Sequence, residues 1–126
     1  MNGLIGIPYS EGGRDYDGVD CWGLVYLYYR DQLGIELPRL DGGYDVKDLP
    51  MLADFLDESK STVNAEPVDE PRDGDLVVMK FRGHPIHVGV YLDGSVLHVL
   101  RGIDSVMEPV ASPRIRGRIE GYYRVR

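Results

Sequence analysis

The chain has 126 residues, 43% of them apolar and 28% charged, with a formal net charge of −7. That length suits one domain, residues 1–126, able to bury about two thirds of its unfolded surface. The acidic balance argues against a nucleic-acid partner, whose phosphates need a basic surface, and a single cysteine excludes an intrachain disulfide.

No stretch approaches the ~20 apolar residues of a membrane-spanning helix, so no membrane insertion is expected. Met1–Pro8 has neither a basic n-region nor an apolar run of signal length. The expectation is synthesis in the cytoplasm, with any exit by a route other than a signal peptide. Tyr9 to Gly18 reads as a loop, marked by Gly12-Gly13 and clustered charge.

Asp17 and Asp20 are helix-starting residues, and Leu24, Val25, Leu27 and Tyr28 follow at spacings that build one apolar helix face. A first helix is predicted from about Cys21 to Leu33, with Asp20 at the N-cap and Gly34 as a C′ residue. Pro38 to Tyr44 is a further loop. A second helix is predicted from Val46 or Asp48 to Glu58, with Leu49, Leu52, Ala53 and Leu56 on one face and Pro50 in its first turn.

From residue 60 the pattern changes. Asn64 to Gly74 is loop-like, Leu76–Phe81 reads as a strand, and Arg82-Gly83-His84-Pro85 reads as a turn. Ile86–Leu92 and Ser95–Leu100 form a hairpin about the type I′ turn Asp93-Gly94. Two more strands are expected near Ser105–Pro109 and Ile119–Val125. Helices first and an antiparallel meander afterwards make an α+β fold.

Cys21 stands in the first turn of the first helix, where unpaired N–H groups and the helix dipole favour a thiolate. With an imidazole partner, such a cysteine is nucleophile chemistry, its pKa falling to roughly 3.5–7.5. A lone cysteine is also often only a small buried hydrophobe. The three histidines decide what surrounds it. Counting outward from Asp93-Gly94 pairs Leu92 with Ser95, Val90 with Leu97 and His87 with Leu100. His98 then lies opposite Gly89, on the His87 face of the sheet, at a diagonal of about 7–8 Å. If the first helix packs on that face, Cys21, His87 and His98 converge as nucleophile, base and orienting group. The same three residues are the alternative ligand set of a zinc site, although neither a helical His pair nor a CxxC spacing is present. His84, before Pro85, reads as an ordinary turn residue.

Ile7-Pro8-Tyr9, Gly12-Gly13, Asp20-Cys21-Trp22-Gly23-Leu24-Val25, Gly74-Asp75-Leu76, His87-Val88-Gly89-Val90-Tyr91 and Leu97-His98 together resemble the NlpC-type papain-like cysteine peptidases. Those enzymes cut bacterial cell-wall peptides, and the resemblance spans roughly residues 3 to 125. The opening Ile5-Gly6-Ile7-Pro8-Tyr9 is most similar to the branch found in tailed phages and prophages, among tail-assembly or tail-tip proteins.

The resemblance implies a papain-like α+β fold, with N-terminal helices packed on a central antiparallel sheet of about five strands. It implies Cys21 as nucleophile, His87 as general base and His98 as the third, orienting residue. Tyr9, Asp20 and Trp22 fall at substrate-side positions, Trp22 standing where many members carry serine. No cofactor or metal is implied. The implied substrate is the peptidoglycan stem peptide, cut between D-glutamate and a diamino acid, with phage tail proteins as partners and the virion or the cytoplasm as location. The other readings are an idle tail-assembly component that retains the fold, and an acyltransferase or amidase using the same dyad.

Overall fold

The structure, a computed structural model, describes residues 2–41 and 48–126. A short 3₁₀ turn, Asn2–Leu4, precedes a two-stranded ribbon of β1 (Arg14–Asp15) and β2 (Gly18–Val19). Helix α1 (Cys21–Tyr28) follows and continues as a π-helical turn, Tyr29–Leu33, which ends at Gly34 in the left-handed conformation. Helix α2 (Leu49–Thr62) then leads into β3 (Ala65–Val68), β4 (Leu76–Phe81), β5 (His84–Leu92), β6 (Ser95–Leu100) and β7 (Ile103–Pro109). A short helix, α3 (Pro113–Arg116), and β8 (Ile119–Val125) complete the chain. The large sheet has six strands in the order β3-β8-β4-β5-β6-β7, all neighbours antiparallel.

Several local expectations match the elements found. Asp20 caps α1, its carboxylate accepting from Gly23 N–H, and Asp48 caps α2 by accepting from Met51 N–H. Pro50 sits in the first turn of α2, where its missing N–H costs nothing. The β5–β6 hairpin turns at Asp93 and Gly94, both at positive φ, and pairs Leu92 with Ser95 and Val90 with Leu97. The expected second-helix start at Val46 and the end of the Pro38–Tyr44 loop lie outside the described residues.

Other expectations need correction. The sheet has six strands rather than about five, because Ala65–Val68, read as loop, pairs with β8. Four residues containing Pro67 carry no strand signature of their own; the partner strand organises them. His84 and Pro85 belong to β5, and the turn is Arg82-Gly83 alone, both residues at positive φ. Helix α2 runs on to Thr62.

The largest correction concerns α1. Trp22, Leu24, Val25, Tyr26, Leu27 and Tyr28 are all buried, so the helix is enclosed on every side rather than along one stripe. Leu24, Val25 and Leu27 are fully buried, each worth about 1.5–3 kcal/mol. They pack with Leu76, Val78, Val88, Val90, Leu97 and Val99. Those strand residues alternate with His87, so α1 covers the sheet face opposite the one expected. The other face carries Val77, Met79, Val96 and Ile115, with Phe81 and Tyr91 against them.

Candidate active site

Cys21 is the first residue of α1 and is half-buried. Its surroundings are built by backbone in close approach. A Cβ on Gly23 would stand 2.0 Å from the carbonyl oxygen of Gly13, so only glycine lets the Gly12-Gly13 loop cross the first turn of the helix. One buried ion pair locks that loop down. Arg14 Nη1 donates to Asp20 Oδ1 at 2.8 Å, with side-chain exposures of 2% and 5%. Arg14 also donates to the carbonyls of Gly13, Arg39 and Leu40, while Asp20 accepts from the N–H groups of Gly12 and Gly23. The Asp20 carboxylate, expected on the substrate side, thus serves as a cap and a loop anchor, although the residue borders the cavity described below.

His87 reaches the site from β5. The pairing of β4 with β5 shifts between Met79 and Lys80, so Ile86 is an extra residue beside His87 and points into the same cavity. Gly89 lies beside His98: a Cβ there would meet Leu97 O at 2.7 Å and His98 Cβ at 3.1 Å. That close approach lets the two rings meet. His87 Nε2 lies 2.8 Å from His98 Nδ1, and His98 Nε2 lies 2.8 Å from Glu108 Oε1. Phe81 stands edge-on to His87 at 5.2 Å between ring centres. His87 Nδ1 has no hydrogen-bond partner among the described residues, and none of their buried side-chain nitrogens or oxygens goes unpaired. Nδ1 therefore reaches open space.

That space is a cavity of about 470 Å³ bordered by both Cys21 and His87. Leu49, Leu52, Phe55 and Leu56 of α2 give it an apolar wall, and Arg82 and Arg101 stand at its edge. Tyr9 lines it under the Arg101 guanidinium, 5.6 Å from the ring centre. Trp22 lines it too, but the ring is mostly core and its Nε1–H donates to Pro38 O at 2.9 Å. His84 stands at the start of β5 and does not border the cavity. His98 touches His87 and Glu108, and among the described residues no group of three His, Cys, Asp or Glu could hold a metal ion.

The electrostatics differ from the expected thiolate. Burial, reinforced by the Asp20 carboxylate, pushes the Cys21 thiol up to about 12, against the pull of the Val88 and Trp22 backbone N–H groups and of Arg14. Burial, then the neighbouring His98, pushes His87 down to about 3. His98 is also lowered by burial, with Glu108 opposing. Burial thus opposes the pull of the helix terminus on the thiol and shifts both groups towards their neutral forms.

The family model described as NlpC/P60 matches residues 6–118. The chain belongs to the NlpC/P60 family. Murein DD-endopeptidase MepS/Murein LD-carboxypeptidase of Escherichia coli K12 is 33% identical over 87 residues, covering 69% of this chain and 38% of that protein. Tail tip assembly protein K of Escherichia phage N15 is 34% identical over 86 residues, covering 66% of this chain and 35% of that one. The crystal structure of an NlpC/P60 family protein from Bacillus cereus superposes with a TM-score of 0.66 at 25% identity, over 96% of this chain and 36% of that one. The fold is thus papain-like α+β, and the chain spans well under half the length of these relatives.

Two residues beside this site were not singled out from the sequence. Arg14 sits in a charged loop that reads as solvated surface, and only its burial marks it out. Glu108 lies two strands from His87 and reads as a sheet-edge charge. Its i, i+2 spacing from Val106, which pairs with His98, puts it on the His98 face of the sheet, and that placement was the available signal.

Proposed function

We propose that this chain is a cysteine peptidase domain that cuts peptidoglycan stem peptides between D-glutamate and the diamino acid, as a component of a phage or prophage tail. The observation that carries this reading is one cavity bordered by Cys21 and by a His87 whose Nε2 is engaged and whose Nδ1 is open. With a peptide bound, Cys21 Sγ attacks the scissile carbonyl as its proton passes to His87 Nδ1, so the neutral resting pair becomes charged only during the reaction. The Cys21 backbone N–H, at the helix start, stabilises the oxyanion. The tetrahedral intermediate expels the amine, which takes the proton from His87, and leaves an acyl-enzyme. Water, deprotonated by His87, then releases the acid and the thiol.

The family and the murein endopeptidase relative support this substrate class, and the tail tip relative supports the location. A second reading, an idle tail component, is favoured by the raised Cys21 thiol and by the same tail relative. Digestion of purified peptidoglycan, followed by mass spectrometry, separates the two. The expected result is new fragments ending in D-glutamate with wild type and none with Cys21→Ala. Undigested wall with both proteins, while Cys21→Ala still supports tail assembly, would establish the second reading.

A further inference from the structure

His87 and His98 are neutral imidazoles in contact, and each ring can carry its one proton on either nitrogen. Which nitrogen carries it decides whether His87 can accept a proton from the cavity. The two rings alone leave this open, because the contact between His87 Nε2 and His98 Nδ1 can run in either direction. One direction leaves Nδ1 of His87 with a lone pair towards the cavity; the other places a proton there and removes the base.

The choice is made beyond the rings. Glu108 stands opposite Val96 on β7 and reaches diagonally to His98, placing Oε1 2.8 Å from Nε2 of the buried ring. An ionised carboxylate only accepts, so His98 carries its proton on Nε2 and presents the Nδ1 lone pair to His87. His87 must then donate from Nε2, which leaves Nδ1 unprotonated. Arg114, from α3, stands 3.5 Å from the other Glu108 oxygen.

We propose that Glu108 is a positioning residue that sets the tautomers of both His98 and His87, so that Nδ1 of His87 is the basic nitrogen facing the cavity. This rests on the reading of His87 as base, but its decisive measurement does not require turnover. When His87 takes the thiol proton on Nδ1, its Nε2–H stays donated to His98, and Glu108 holds the relay in order without gaining a proton.

The test is ¹⁵N NMR of the ring nitrogens in wild type, Glu108→Ala and Glu108→Gln, with stem-peptide kinetics alongside. Wild type should show both imidazoles protonated on Nε2. Glu108→Ala should lose the single tautomer at both rings, and kcat should fall about ten- to a hundredfold, less than for loss of a base itself, with little change in KM. Glu108→Gln, whose amide oxygen can accept the same proton, should keep more of the wild-type tautomers and recover part of the rate. Unchanged tautomers in folded Glu108→Ala overturn the proposal, as do shifted tautomers with an unchanged kcat. If the alanine variant does not fold, wild-type tautomers other than Nε2–H at both rings overturn it, and a Glu108→Gln protein decides the rate. Shifted tautomers in a wild-type background that digests no peptidoglycan would retain the relay and reject the peptidase reading.

Discussion

The two sides of the cavity are held by opposite means. Cys21 is positioned by backbone and by one buried ion pair, all within Gly12–Gly23 and the carbonyls above it. His87 is brought into place by the β5 irregularity and the close approach at Gly89, and its ring is held by side chains in a line that crosses three strands through His98 to Glu108. A cysteine needs only a location, since its sulphur has one proton and no ring to orient. An imidazole needs a location, a rotation and a proton order, and hydrogen-bonded side chains supply the last two. Damage on the cysteine side should therefore appear first as lost stability, and damage on the histidine side first as lost rate or altered titration.

The largest expected effect on stability breaks the cysteine side. Arg14→Met removes the guanidinium that donates to the buried Asp20 carboxylate, a loss of about 3–5 kcal/mol. Urea unfolding should show it, and adding Asp20→Asn should recover part of it; an exposed-charge cost below about 1 kcal/mol would reject the anchoring role. Next comes the acid limb of the stability curve. His87 is held near 3 by burial and by His98, while an unfolded histidine titrates near 6.5, so between these values the unfolded chain binds the extra proton. Stability should fall as pH drops from about 6.5 towards 3, and thermal melts of His87→Gln should show a shallower fall. His98 shifts in the same direction and keeps part of the slope.

A smaller effect sharpens the comparison at the sulphur. With its thiol pushed up to about 12, Cys21 should react with iodoacetamide more slowly than an ordinary thiol at pH 6–8, and faster as the pH climbs beyond 9. Rapid alkylation at pH 6 would instead establish a thiolate–imidazolium pair. The smallest effect belongs to His84. It lies on the same strand as His87 but outside the cavity, and His84→Ala should leave activity intact and stability within about 0.5 kcal/mol.

What could be read from the chain was local. The Asp20 cap, the Gly34 terminus, the Asp93-Gly94 turn and the hairpin register follow from residues a few positions apart, and the contact of His87 with His98 follows from that register. What escaped depended on partners far away in sequence. Ala65–Val68 becomes a strand only because β8 lies beside it. The face chosen by α1 could not be read from α1 itself, whose apolar residues run all round it. Arg14 and Glu108 look like any exposed charge until the fold buries one and aims the other. The thiolate was expected from the helix terminus, a local influence, whereas burial, a tertiary one, pushes the thiol the other way.

The two outer strands of the sheet carry a consequence for how this molecule lives among copies of itself. Along β7 the backbone of Ser105 exchanges hydrogen bonds with Gly6 and Ile7, and the Ser105 hydroxyl bridges Leu4 O and Ile7 N–H. The opposite border, β3, is four residues long and includes Pro67, which has no N–H to offer. Among the described residues, one border is short and interrupted by Pro67 and the other is covered at Ser105, and both features oppose edge-to-edge pairing. Ser105→Ala removes the hydroxyl that ties Leu4 and Ile7 to β7, and size-exclusion chromatography of that variant should show more self-association than wild type.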